Sequence, residues 1–144
     1  MRVFLCGLVL LTGCASAAPP RPFASTLPAF RYGSRFVVVG DLQRTSLLEF
    51  WRESNDAERA VLVRAIAELH PAFVAMTGDM VFDGSSKKKW SDFDELCTPL
   101  REAGVPVVAA FGNHEYWGGR EGEAQVFARV PTLGGRHWYT VAYG

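Results

Sequence analysis

The sequence predicts an α/β fold built on a parallel sheet, and three observations carry that expectation. Short apolar, β-branched runs recur at Phe36–Val39, Phe73–Thr77 and Val105–Phe111. Each ends in a glycine followed by a metal-capable side chain: Gly40-Asp41, Gly78-Asp79 and Gly112-Asn113. Helix-like segments separate them. Continuous apolar runs suit strands buried on both faces, as in parallel sheets. The glycine lets the backbone turn sharply, so that the next side chain projects off the sheet edge. In α/β folds ligands gather there, beyond the carboxyl ends of the strands.

Composition sets the bounds. The chain has 144 residues, 49% of them hydrophobic, which is enough for one domain with a real core. Fifteen basic residues balance fifteen acidic ones, so there is no nucleic-acid-binding footprint. Of the cysteines Cys6, Cys14 and Cys97, the first two lie in a targeting segment. Cys97 is then alone, cannot form an internal disulfide, and reads as a small core residue of a helix.

In chain order, Met1-Arg2 and the apolar run Val3 to Leu11 read as a signal peptide. The run is far short of the ~20 residues a membrane span needs. Leu11-Thr12-Gly13-Cys14 resembles a bacterial lipobox. A lipoprotein-type signal peptide over 1–13 would leave Cys14 as the lipidated residue, placing the protein in the bacterial cell envelope on a membrane anchor. The rival is cleavage after Ala15-Ser16-Ala17, giving a periplasmic or secreted protein. Residues 14–34 carry Pro19, Pro20, Pro22 and Pro28 and read as a semi-extended tether. The domain is expected over 35–144.

Leu47, Phe50 and Trp51 fall at helical spacing, predicting a short helix. Asn55 with Glu58 resembles a capping box; it opens a helix that runs to Leu69 or His70 and stops before Pro71, with a core face of Leu62, Ile66 and Leu69. His70 reads as structural, its imidazole near the helix's negative end. Asp83 to Lys89 is expected as a polar, solvated loop. Ser91 with Asp94 suggests a cap for a helix from Asp92 toward Ala103, shortened or kinked at Pro99 and ended by Gly104. A glycine-rich loop at Tyr116–Gly119 precedes a short helix over Glu121–Arg129. His137 to Tyr143 alternates like one further strand, with His137 a structural residue at its start.

Gly40-Asp41-x-Gln43, Gly78-Asp79 and Gly112-Asn113-His114-Glu115, in that order, resemble the calcineurin-like metallophosphoesterases. The intervals between Asp41, Asp79 and Asn113 suit strand–helix–strand units of about 30 or more residues. The resemblance implies a layered α/β/β/α sandwich, of which this chain holds the first βαβαβ half and one further strand. It implies hydrolysis of a phosphomonoester or diester by a hydroxide activated at two metal ions (Mn, Fe or Zn). Asp41 would bind one metal, Asp79 bridge the pair and Asn113 bind the second. His114 would be the general acid or stabilise charge on the leaving oxygen. The bland reading of Asp79 and Asn113 is turn formation at strand ends.

Two positions depart from the family pattern. Gln43 stands where the family has a histidine; its oxygen is a neutral ligand and favours a harder ion. Phe82 stands where the family often has an acid that orients the catalytic histidine, with Asp83 one residue on. Further family ligands are histidines of a second half, and this chain has only His70, His114 and His137. A chain truncated at its carboxyl end is the simplest account. Tyr116 and Trp117 are candidates to stack on an aromatic leaving group, against simple loop packing. The alternative function, of another class, is a non-catalytic envelope binding module that keeps the sheet without the metal chemistry.

Overall fold

The computed structural model describes residues 19–46, 49 and 51–144. The lipobox-like stretch ending in Cys14 lies outside them, as does part of the short helix expected around Leu47–Trp51. The element order is β1 (Val37–Val39), α1 (Asp56–Glu68), β2 (Val74–Met76), α2 (Lys87–Leu96), α3 (Thr98–Glu102), β3 (Val107–Ala109), α4 (Asn113–Tyr116) and α5 (Gly119–Arg129), with a 3₁₀ turn at Pro131–Leu133. The strands form one parallel sheet in the order β1-β2-β3. Val37, Val74 and Val107 share a register row, as do Val39, Met76 and Ala109. No helix among the described residues is long and apolar enough to cross a membrane.

The two faces of the sheet differ. Val74, Met76, Val107 and Ala109 join Val63, Ile66, Trp90, Phe93 and Val126 in a single core cluster, with Val37 and Val39 packed against it. The helices therefore cover this face. On the other face the middle row is Val38, Ala75 and Val108, and Val38 is 59% exposed. Cys97 is fully buried in the core, and that burial pushes its thiol pKa up to about 12. At neutral pH it stays protonated and unreactive.

Several local expectations are corrected. Asn55 does not cap α1 through its side chain. The amide instead reaches back to the β1 loop, where Nδ2 donates to Gln43 O (3.1 Å) and Oδ1 accepts from Thr45 N (3.0 Å). The buried face of α1 is Val63, Ile66 and Ala67, while Leu62 and Leu69 are exposed. His70 follows the helix with a left-handed φ of 45°, which turns the chain ahead of Pro71.

α2 begins at Lys87, with Ser86 as its N-cap accepting from Lys89 N, so the lysine run lies in a helix and not in a loop. Trp90 decides this start. Its side chain is fully buried and its indole donates to Gly84 O at 2.8 Å. Pro99 does break the segment: α2 ends at Leu96 and α3 restarts with proline in its first turn. Asp94 is not a cap. It is buried and accepts from Arg129 Nε (2.9 Å) and Nη2 (2.7 Å) and from Arg101 Nη2 (2.7 Å). Burial lowers the Arg101 pKa from its usual value, and Asp94 opposes that shift. Losing one partner from such a buried cluster typically costs about 3–5 kcal/mol, because the other charges are left unpaired.

Residues 137–143 are not a strand. The Tyr139 hydroxyl accepts from Ala109 N (2.8 Å) and donates to Ala109 O (3.2 Å). A side chain thus takes backbone groups of β3 that a fourth strand would have paired. Part of the proline-rich segment is also docked. Phe23 is buried, its amide donates to Arg129 O (2.9 Å), and Ala24 bridges Pro106.

Candidate active site at the carboxyl edge of the sheet

The loops after β1, β2 and β3 meet at one edge, knitted by backbone bonds. Asp41 N donates to Gly78 O (3.3 Å) and Gln43 N to Asp79 O (3.0 Å). The β1 loop is held from below by Asn55 and by Arg59, whose Nε donates to Leu42 O at 2.7 Å. Asp41 and Asp79 both adopt left-handed backbone, with φ of 54° and 51°. Such conformations cost of order 1–3 kcal/mol each, and they cluster at functional sites. At Gly112 the requirement is space: a Cβ there would collide with the Asp79 carboxylate.

Glu115 ties the β2 and β3 loops together. It is 0% exposed. Its Oε2 accepts from Asp79 N (2.9 Å) and Gly112 N (2.8 Å), and its Oε1 from Met80 N (2.7 Å) and Val81 N (3.4 Å). Sequence reasoning assigned it no role. The signal was present in its spacing, because a glutamate three residues after a helix-opening position commonly reaches back to that backbone N–H.

His114 follows from this frame. Its backbone N–H donates to Asp79 Oδ1 (3.1 Å), which sets the two residues side by side. Its Nδ1 lies 2.7 Å from Phe82 O. A carbonyl only accepts, so Nδ1 carries a proton and Nε2 is left for chemistry. The residue at the family's acid position thus orients the histidine through its backbone. Asp83 does not take that part: Ser85 Oγ and Ser85 N donate to its carboxylate and hold its pKa below the usual range. The Phe82 and Trp117 rings flank the imidazole, at 4.9 and 4.0 Å between centroids.

Of the two aromatic candidates, Trp117 lies beside His114. Tyr116 turns away, stacking on Phe111, with its hydroxyl 3.1 Å from His137 Nδ1. His137 is exposed and packs against Phe111.

The profile of the calcineurin-like phosphoesterases matches residues 34–143. The chain belongs to that family. An uncharacterised protein of Schizosaccharomyces pombe is 30% identical over 79 residues, covering 53% of this chain and 16% of that protein. The chain therefore corresponds to a small part of that relative's length. No solved structure matches. Calcineurin-like phosphoesterases are hydrolases of phosphoesters and are typically metal-dependent.

The residues present can be tested against a metal. Gln43 Oε1 is buried and, among the described residues, has no hydrogen-bond partner. A buried acceptor left so is costly, and a cation would satisfy it. Asp41, Gln43, Asp79 and Asn113 all offer oxygen donors, a type that suits Mg²⁺, Ca²⁺ or Mn²⁺ better than Zn²⁺. Among the described residues no three His, Cys, Asp or Glu side chains converge as a metal cluster. Any ion held here by these four residues thus relies on the amides as well as the carboxylates.

Proposed function

We propose that the site hydrolyses phosphoesters with two metal ions, with Asp41 and Gln43 on one, Asn113 on the other and Asp79 between them. The observation that supports this best is His114: its proton is placed by Phe82 O and its own amide is bound to Asp79. Bound metals supply positive charge at the phosphoryl oxygens and lower the pKa of water. The chain's own contribution is positional. Asp41 and Asp79 follow β1 and β2 in left-handed backbone, and Glu115 ties the β2 and β3 loops together. His114, protonated on both nitrogens, donates from Nε2 to the leaving oxygen, while Phe82 O keeps the ring from rotating.

Metal analysis tests this reading. In the full-length protein, Asp79→Asn should lose most bound metal and nearly all turnover, whereas Asp41→Asn should lose chiefly one ion. Two ions per chain in Asp79→Asn would remove the bridging role. The absence of a His/Cys/Asp/Glu cluster among the described residues favours a second reading, a non-catalytic envelope binding module. A wild-type protein with neither bound metal nor turnover would select it.

We also propose an envelope location through lipid on Cys14, because Leu11-Thr12-Gly13-Cys14 matches the lipobox pattern. Cys14→Ser should move the protein from the membrane to the soluble envelope fraction. A wild-type protein already soluble there would rule the anchor out.

A further inference from the structure

Beside the Asp79–His114 edge lies a cavity of about 760 Å³, within the range of small-molecule sites. Phe82 is the shared wall: its carbonyl holds His114, and its side lines the cavity. The lining carries five basic residues and two acidic ones. Four of the cations are already paired. Arg44 and Arg59 bind Asp56, Arg52 binds Glu49 and Lys88 binds Asp92.

Lys89 differs. It is half-buried, with its Nζ 4.5 Å from the centre of the Phe82 ring; among the described residues it makes no direct salt bridge, and its nearest charged influence is the more distant Asp83 carboxylate, which is itself held by Ser85. Ser86, the N-cap of α2, lines the same cavity, so the positive end of a ten-residue helix adds to the field. A half-buried ammonium over a ring face, in a cavity with surplus positive charge, is poised for an oxyanion.

We propose that this cavity is a subsite for a second phosphate of the substrate, so that the site takes phosphoesters whose non-scissile part carries a further phosphate group. The proposal rests on the phosphoesterase reading for its substrate, but its binding chemistry stands apart from turnover. The scissile group lies at His114, and the second group reaches past Phe82 to Lys89. Removing one of the paired arginines would also free a carboxylate, so Lys89 is the position where charge is changed most cleanly.

The test is calorimetric titration of inorganic pyrophosphate into the protein in EDTA, so that no metal takes part. The wild type should bind saturably at one site. Lys89→Met keeps the aliphatic stem on Phe82 and the backbone bond to Ser86, and should weaken binding about tenfold. Lys87→Met removes an equal charge from the same helix outside the cavity and should leave binding nearly unchanged. No saturable binding by the wild type would overturn the proposal. So would equal weakening in Lys87→Met and Lys89→Met, which would reduce the effect to bulk charge. Pyrophosphate bound as expected by a protein that hydrolyses no phosphoester would sink the phosphoesterase reading and leave the anion site standing.

Discussion

Glu115→Ala is expected to destabilise the domain by at least about 4 kcal/mol, which for many domains is most of the folding free energy. Four backbone N–H groups converge on this one carboxylate, which has no exposure to water. Each buried donor left without a partner costs about 1–3 kcal/mol. Water is poorly placed to replace the side chain, because the Glu115 peptide is closely packed: a Cβ on Gly84 or on Gly122 would collide with the Glu115 carbonyl oxygen. Glu115→Gln keeps the shape and one acceptor oxygen, but turns an NH₂ toward amides that also donate, so its loss should be smaller, about 2 kcal/mol. Urea unfolding midpoints measure both. A shift below about 1 kcal/mol in the alanine variant would show that the four bonds do not tie the two loops together. The functional consequence follows directly, since two of the four donors, Asp79 N and Gly112 N, flank the proposed metal ligands.

The contrast between this residue and its neighbours shows what a sequence reveals. Strands that end in Gly-Asp or Gly-Asn were legible because a buried apolar run and a following glycine are local signals. The parallel order of the sheet and the meeting of Asp41, Asp79 and Asn113 loops at one edge follow from them. Long-range pairings were not legible. Glu115 bonds amides some 35 residues away in sequence, and Asn55 prefers the Gln43 loop to its own helix. Both alternatives satisfy the same polar atoms, so only the tertiary approach decides between them. The start of α2 was recoverable, since Trp90, Phe93 and Cys97 repeat at helical spacing from a point before Asp92. The lysines obscured it because charge carries no preference between an exposed helix and a loop. The missing strand at 137–143 has a different cause: alternation describes a segment's faces, whereas a strand also needs a free partner, and Tyr139 occupies the β3 edge.

In the full-length protein, His114→Gln should lower turnover on an alkyl phosphoester about 10²–10⁴-fold, the usual worth of a positioned acid or base, while metal content stays unchanged. The geometry sets this expectation. Nδ1 is engaged by Phe82 O and the backbone amide by Asp79 Oδ1, so the ring is fixed and only Nε2 is left to meet a substrate. Glutamine places an amide in the same region but has no ionisable proton to give. The loss should be smaller with p-nitrophenyl phosphate, whose leaving oxygen needs little protonation. An equal loss on the two esters would assign His114 to charge stabilisation on the phosphoryl group. Loss of metal from the variant would make it a ligand, and unchanged turnover on both esters would leave it no part in the chemistry. Phe82 sharpens the distinction, because a backbone carbonyl is neutral where the family often has a carboxylate. It fixes the tautomer without stabilising an imidazolium as a carboxylate would, and Asp83 is bound to Ser85 instead.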